Sequence, residues 1–178
     1  MEVKILAKPP TSGTVAERQY SCSGDCLWVR FSFDEGDEWA GAFGTGNFPF
    51  QNFATFFAAD AFALVVASGQ GYVLRPQDGE LIRNTAWDYV QCVQPIADSD
   101  LVVLADDTTI WVEDAYGEVW RSDRVALDGV IIDRARADLV EGKVWWSEGW
   151  YRFQLTPSPW TFTKLDFLTP DWHLFKRG

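Results

Sequence analysis

Histidine is almost absent from the sequence: His173 is the only one among 178 residues. A Ser-His-Asp or Cys-His centre would have to use that imidazole, because such centres need a histidine as their general base. His173 lies between Trp172 and Leu174 near the end of the chain, a position typical of a packing or surface residue. The sequence therefore predicts no histidine-dependent catalytic centre, and we expect the protein not to be an enzyme.

Cysteine is scarce as well. Cys22, Cys26 and Cys92 are an odd number, which argues against a complete disulfide framework. A zinc site needs several Cys or His ligands at regular spacing, and these three thiols with one distant histidine do not provide it. We interpret Cys22 and Cys26 as two thiols near the start of a strand that are able to pair if oxidised, and we predict neither a metal nor a cofactor.

Long apolar segments are also missing. The most apolar stretch, residues 53–67, is interrupted by Thr55 and Asp60 and is shorter than the ~20 residues of a membrane helix. Residues 1–6 contain an early acid and too short an apolar run for a signal peptide. We therefore expect a cytoplasmic protein that does not contact a membrane.

Positive charge is in short supply: 15 Lys and Arg stand against 26 Asp and Glu, for a net charge of −11. A negative field repels phosphate backbones, and the sequence has no basic cluster larger than Lys176-Arg177. Nucleic acid is therefore excluded as a partner, and a basic protein is the natural complement. The alternative is that the acidity serves solubility alone.

Aromatic residues, by contrast, are abundant: they make up 16% of the chain and include ten tryptophans. Each buries about 150–250 Å² in a core, and aromatic side chains favour the pleated surface of a sheet. A chain of this length has room for one domain with its own core. We predict a single all-β domain over residues 1–178.

The patterning agrees with this composition. Apolar residues at positions 27, 29, 31 and 33 alternate with Trp28, Arg30 and Ser32, which predicts a strand with one buried face. Short apolar runs at 63–67 and 101–105 are each followed by turn residues, and Pro-Gln-Asp-Gly at 76–79 predicts a further turn. Residues 130–132 (Val-Ile-Ile) favour a strand over a helix. The whole predicts consecutive antiparallel strands.

This pattern recurs with a period of about 40 residues, the size of one four-stranded propeller blade. Equivalent positions in the first two copies are Tyr72, Gly79 and Leu81 against Ile110, Gly117 and Val119. A looser third copy places Tyr151 at the position of Ile110. We predict propeller-like repeats, incomplete or distorted because the N-terminal half shows the pattern poorly. The alternative is a β-sandwich with hairpins of similar length.

The segment Tyr116-Gly117-Glu118-Val119-Trp120-Arg121-Ser122, followed by Leu127-Asp128-Gly129-Val130, resembles a motif of small, uncharacterised bacterial β-propeller-like proteins. In these the chain runs from a glycine turn into a Trp-Arg-Ser or Trp-Arg-Thr strand and then into Leu-Asp-Gly. Residues 69–72 and 101–112 fit the same family, so the resemblance covers roughly residues 60–155. It implies a β fold and a bacterial origin, and it implies no activity.

Acidic residues gather in short clusters: Asp34-Glu35-Gly36-Asp37-Glu38, Asp98-Ser99-Asp100, Asp106-Asp107 and Glu113-Asp114. Paired carboxylates serve glycoside hydrolysis and oxygen-rich loops bind calcium, but these clusters have the specific spacing of neither. Solvated turns are one interpretation, since Asp is frequent in turns. The functional alternative is a negative surface that faces a basic protein.

Tryptophans at 145, 146 and 150, with Trp160 and Tyr151 nearby, form the second candidate. They suit a stacking platform for sugars or a hot spot for a protein. Neighbouring residues of a strand point to opposite faces, so only one of Trp145 and Trp146 enters a given core. The other is exposed or lies at an interface, unless a second layer or a bent sheet buries both.

These observations favour a non-catalytic protein-binding module, specifically a bacterial immunity-type protein that neutralises a partner toxin, because acidic inhibitors associate rapidly with basic enzymes. The predicted partner-binding residues are Asp34, Glu35, Asp37, Glu38, Asp106, Asp107, Trp145, Trp146 and Trp150. The alternative is a carbohydrate-binding protein or a glycosidase that uses paired carboxylates and exposed tryptophans.

Overall fold

The structure is a computed structural model, and it describes residues 1–34, 36–48, 52–85 and 89–168. Glu35 and His173, both singled out in the sequence, lie outside these ranges. The described ranges contain sixteen strands and no helix. The all-β prediction is therefore confirmed.

The strands form four sheets of four strands each. In spatial order, sheet 1 contains β1 (Glu2–Leu6), β3 (Cys26–Ser32), β4 (Glu38–Gly44) and β2 (Ala16–Tyr20). Sheet 2 contains β5 (Phe53–Phe57), β6 (Phe62–Ala67), β7 (Gln70–Arg75) and β8 (Glu80–Asn84). Sheet 3 contains β9 (Cys92–Pro95), β10 (Val102–Ala105), β11 (Ile110–Glu113) and β12 (Glu118–Arg121). Sheet 4 contains β13 (Val130–Arg136), β14 (Leu139–Trp146), β15 (Gly149–Thr156) and β16 (Thr161–Phe167).

Sheets 2, 3 and 4 are meanders of consecutive antiparallel strands. They begin at Phe53, Cys92 and Val130, a spacing close to the period of about 40 residues in the sequence. The turn predicted at residues 76–79 joins β7 to β8, and Gly79 adopts a φ of +65° there.

Sheet 1 departs from the predicted succession of antiparallel strands, because β2 runs parallel to β4 at the sheet edge. A connection that contains Pro9, Pro10 and Gly13 separates β1 from β2, so these two strands do not form a hairpin. β3 lies between β1 and β4 instead, and β2 reaches the far side of the sheet. Its residues are exposed apart from Tyr20, as is usual for an edge strand.

The sheets stack in chain order, and an apolar cluster fills each interface. Val29, Phe31 and Phe43 of sheet 1 lie in one cluster with residues of sheet 2. Leu64 and Val66 lie in a second cluster with residues of sheet 3, and a third cluster joins sheets 3 and 4. The apolar core is therefore divided into three layers between four sheets.

The sequence pattern of each strand follows from its place in this stack. β6 is buried from Ala63 to Ala67 because its alternate side chains enter two different clusters, one on each face of sheet 2. β3 alternates strictly between buried and half-buried residues, with Leu27, Val29 and Phe31 inside. Continuous burial thus marks the central strands of the two middle sheets and β4 of sheet 1, whereas β3 and β14 of the outer sheets alternate.

Cys22 and Cys26 form a disulfide in the connection from β2 to β3, with their Cα atoms 5.8 Å apart. Cys92 is a free thiol whose Sγ donates a hydrogen bond to the carbonyl oxygen of Val130 at 3.1 Å. Burial raises the pKa of the Cys92 thiol. The sequence allowed the first two thiols to pair, and the structure pairs them.

Candidate functional site

The turns of the sheets lie at two opposite ends of the stack, as hydrogen bonds along β4 establish. At its start, Trp39 Nε1 donates to the carbonyl oxygen of Pro76 at 2.8 Å, which places the β3–β4 turn beside the β7–β8 turn. At its finish, Tyr72 Oη donates to the carbonyl oxygen of Gly44 at 2.8 Å, near the β6–β7 turn. We call the first of these ends the Asp34 end.

The opposite end continues across sheets 3 and 4 through backbone hydrogen bonds. Val90 N donates to Gly69 O at 3.1 Å and Gln91 N to Ala105 O at 2.8 Å, so the β6–β7 turn and the end of β10 share this side. The connection from β12 to β13 then bridges two sheets: Gly129 N donates to Asp107 O at 2.7 Å, and Trp145 N donates to Gly129 O at 2.8 Å. We call this side the Asp107 end.

The residues predicted to bind a partner are divided between the two ends. The Asp34 end holds Asp34, Asp37 and Glu38, where Asp34 Oδ1 lies 3.1 Å from the N-terminal ammonium. Glu38 pairs with Arg30 at 3.7 Å. The Asp107 end holds Asp106, Asp107, Trp145, Trp146 and Trp150. The structure therefore places the two groups at opposite ends, and within the second group it separates Trp146 from Trp145 by putting them on opposite faces of β14.

Trp145 and Trp150 form the centre of the Asp107 end. They are cross-strand partners on β14 and β15, and their rings meet edge to face with centroids 5.5 Å apart. Gly129 lies against them at a φ of +143°, where a Cβ atom would stand 3.1 Å from the Trp150 ring. Leu127, 39% exposed, donates from its backbone N to Trp145 O at 2.8 Å. We call these four residues the tryptophan platform.

The chain segments that adjoin the tryptophan platform are rich in acids, and we call their carboxylates the rim. The turns and the connection that form this part of the Asp107 end, residues 106–109, 122–129 and 147–148, contain five acids and one arginine. The five acids are Asp106, Asp107, Asp123, Asp128 and Glu148. Asp106 Oδ1 accepts hydrogen bonds from the backbone N of Thr108 and Thr109 at 2.6 and 2.7 Å, which fixes the turn. The platform is thus an apolar centre with a negative rim.

Trp146 lies on the opposite face of β14 from Trp145. It shares that face with Val144, which belongs to the cluster between sheets 3 and 4. The Lys164 ammonium lies 5.0 Å from its ring centroid. Both tryptophans are half-buried, so the two faces of one strand end in two different aromatic surfaces.

The Glu113-Asp114 cluster is structural. Glu113 is fully buried and accepts hydrogen bonds from Arg83 Nη2 at 2.6 Å and from Trp111 Nε1 at 3.0 Å. Asp114 Oδ1 accepts from the backbone N of Tyr116 and Gly117 at 2.7 and 2.8 Å and holds the β11–β12 turn. The Glu113 carboxylate is therefore inaccessible to a partner, and the Asp114 carboxylate holds a turn.

The Asp98-Ser99-Asp100 cluster lies close to Asp60, which the sequence analysis did not group with it. Asp98 and Asp100 follow β9, Asp60 follows β5, and all three line a cleft of about 510 Å³ between the β5–β6 and β9–β10 connections. Asp60 and Asp98 both adopt positive φ, 66° and 57°. Asp60 and Asp98 each follow the first strand of a meander. This equivalent position was the only signal in the sequence that could have indicated their proximity.

Within the described ranges, no three side chains of His, Cys, Asp or Glu are grouped so that they could hold a metal ion. The same ranges contain no helix that is long and apolar enough to cross a membrane. No protein-family model matches the chain, and no match was found among curated proteins.

Proposed function

We propose that this chain is a non-catalytic protein-binding module whose Asp107 end recognises a basic protein. The observation that carries the proposal is the Trp145–Trp150 pair of the tryptophan platform, which is adjoined by segments that contain five acids. Protein interfaces combine an aromatic, desolvated centre with a polar rim in this way. The centre supplies affinity, and the rim selects the charge of the partner.

The platform is rigid before any partner arrives. The edge-to-face contact with Trp150 and the backbone hydrogen bonds through Gly129 fix the position of Trp145. An aromatic group that is already ordered loses little side-chain entropy on binding, which favours affinity. The net charge of −11 has the same sign as the rim, so the whole molecule attracts a basic partner.

The partner class we propose is a basic toxin, which the chain neutralises as a bacterial immunity-type protein in the cytoplasm. Binding of an acidic protein over the functional surface of a basic enzyme blocks that surface without any chemistry of its own. Inhibition of this kind requires only a stable binding surface, and we propose that the tryptophan platform and its rim form that surface.

We also propose how the four sheets are arranged relative to one another. We interpret the four sheets as blades of a small, open propeller-like array. Two observations support this interpretation: three meanders begin at regular spacing, and the first strands β1, β5, β9 and β13 contact one another in succession. Blades stacked in this order present their turns at two ends, as an end-on binding surface requires.

Affinity capture with matched variants tests the proposal. The immobilised protein is used to identify a partner from the source cell at low salt, and its affinity is then measured with the purified partner. We expect Trp150→Ala to weaken binding by about 2 kcal/mol or more, the size of a hot spot. We expect Asp128→Asn with Glu148→Gln to slow association, with a smaller effect at high salt.

The control is Asp34→Asn with Asp37→Asn, which removes the same charge at the other end. An equal loss from the control pair would contradict a site at the Asp107 end. Failure to retain any partner at low salt would contradict the binding function itself.

Carbohydrate processing is the second candidate function, and the cleft of Asp60, Asp98 and Asp100 favours it. Glycosidases need two carboxyl groups that face a sugar from different parts of the fold, and this cleft collects acids from two sheets. Hydrolysis of aryl glycosides that disappears in both Asp60→Asn and Asp98→Asn would support this candidate. A wild-type protein inactive on a broad glycoside panel would exclude hydrolysis.

A further inference from the structure

A second cleft lies between sheets 3 and 4, on the other face of sheet 4 from Trp145 and Trp150. Trp120 of β12, Trp146 of β14 and Lys164 of β16 line it, together with the segment that follows β12. Its volume of about 530 Å³ falls within the range of small-molecule sites, about 300–1,000 Å³. A ligand with one or two rings therefore fits inside it.

The walls of this cleft are aromatic. Trp120 and Trp160 lie with ring centroids 6.2 Å apart and planes inclined by 32°. Phe162 stacks on the buried ring of Phe153 at 5.3 Å, so the core fixes its position. Trp146 completes the lining from β14. Several aromatic faces around one opening suit a ligand that contains a ring.

The cleft also concentrates positive charge in a strongly acidic chain. The Lys164 ammonium lies 5.0 Å from the Trp146 ring centroid and 4.7 Å from that of Tyr151. Within the described part of the chain, no carboxylate forms a salt bridge with Lys164 or with Arg124, which also lines the cleft. Contacts with ring faces leave the charge of Lys164 without a counter-ion.

Arg124 is held in place by the chain around it. Its Nε donates to the carbonyl oxygen of Ala126 at 3.0 Å, and its Nη2 donates to that of Leu127 at 3.3 Å. Both acceptors are neutral carbonyl groups, so the guanidinium keeps its charge for a ligand. Asp123 also lines the cleft and forms no salt bridge with either cation within the described residues. Two cations without acidic partners beside aromatic walls suit the recognition of an anion.

We propose that this cleft binds a small molecule that carries a carboxylate on a ring. The ring stacks on the tryptophan faces, and the carboxylate pairs with Lys164 and Arg124. Both a sugar acid and an aromatic acid have this chemistry. Trp145 and Trp150 lie on the other face of sheet 4, but the two sites adjoin, because Asp123 of the rim lines this cleft and Arg124 donates to Leu127 of the platform.

Four probes distinguish the contribution of the ring from that of the carboxylate. They are glucuronate and its neutral counterpart glucose, and indole-3-acetate and its neutral counterpart indole. Binding is followed through the Nε1–H signals of the tryptophans in NMR spectra of isotope-labelled protein. We expect at least one carboxylate to shift the signals of Trp120, Trp146 or Trp160 in a saturable manner, with its neutral counterpart at least about tenfold weaker. The acid that binds identifies the source of the ring.

Matched variants locate the site. Lys164→Gln should weaken binding about tenfold, whereas Lys143→Gln, on the outer face of sheet 4, should leave it unchanged. Trp160→Ala should abolish ring recognition, and Trp150→Ala should not. The proposal is overturned if neither acid binds at millimolar concentration, if neutral probes bind equally well, or if Lys143→Gln and Lys164→Gln weaken binding to the same extent.

Discussion

Arg83 and Glu113 form a salt bridge of 2.6 Å that connects sheet 2 to sheet 3. The Glu113 side chain is fully buried, and that of Arg83 is 16% exposed. The guanidinium also donates to the carbonyl oxygens of Asp114 and Ala115 at 2.6 and 3.1 Å. Both partners are thus desolvated and hydrogen-bonded, the condition under which loss of one partner is severely destabilising.

We expect Glu113→Gln to lower the free energy of unfolding by about 3–5 kcal/mol, because it leaves the Arg83 charge buried without its counter-ion. Urea denaturation measures this change. The matched control is Glu118→Gln, which removes the partially exposed ion pair with Arg121 and should cost about 1 kcal/mol or less. An equal decrease in the free energy of unfolding for the two variants would show that the buried Arg83–Glu113 pair stabilises the fold no more than an exposed ion pair does.

Tyr20 makes stability depend on alkaline pH. Its hydroxyl donates to the carbonyl oxygen of Gly79 at 2.6 Å, and burial raises its pKa to about 12. The phenol ionises near pH 10 in the unfolded chain, so its contribution is complete below pH 10 and is lost as the pH rises toward 12.

The expected loss is about 2–3 kcal/mol between pH 10 and 12. Urea denaturation over that range should show a steeper fall for the wild type than for Tyr20→Phe, which cannot ionise at this position. Parallel curves for the two proteins would rule out Tyr20 as the titrating group.

The three cysteines should differ in reactivity. Without reduction, the unfolded protein should contain one titratable thiol, Cys92, because Cys22 and Cys26 are joined. In the native protein near pH 8, Cys92 should react much more slowly than in urea, since burial raises its pKa and lowers the thiolate fraction.

Thiol counting in urea, before and after reduction, checks this expectation. Three thiols before reduction would contradict the disulfide. The same measurement on protein taken directly from the cell bears on the predicted cytoplasmic location, because disulfides persist mainly in oxidising compartments.

Gly129→Ala should destabilise the Asp107 end. At a φ of +143° an alanine is strained, and its Cβ would press on the Trp150 ring. We expect a loss of about 1–3 kcal/mol and a change in the fluorescence of the tryptophan pair. Gly117→Ala is the control, because nothing lies within 4 Å of a Cβ there. A Gly129→Ala protein as stable as this control would refute a restrictive backbone at Gly129.

Local patterns in the sequence predicted several of the strands. The alternation at residues 27–33 gave β3, and the run at residues 63–67 gave β6, because burial on one face or on two leaves a different periodicity. The parallel pairing of β2 with β4 could not be predicted in this way, since it depends on the path of a long connection and not on the strand itself.

The site was less predictable because its residues meet through turns that are far apart in sequence. Asp106 and Asp107 could be recognised as turn acids, but their position beside Trp145 depends on hydrogen bonds through Gly129. Glu113 looked like a surface acid, and its burial depends on Arg83, thirty positions earlier in the chain. The residue pattern of a single strand does not show which distant residues contact it in the folded protein.

The outward face of sheet 4 is chemically divided. It carries the ion pairs of Lys143 with Asp133 and of Arg152 with Asp166, and the Trp145–Trp150 pair lies farther along the same face, whereas the inward face is apolar. A protein that covered the ion pairs would have to remove their water, so contact with this face costs the least free energy at the tryptophans.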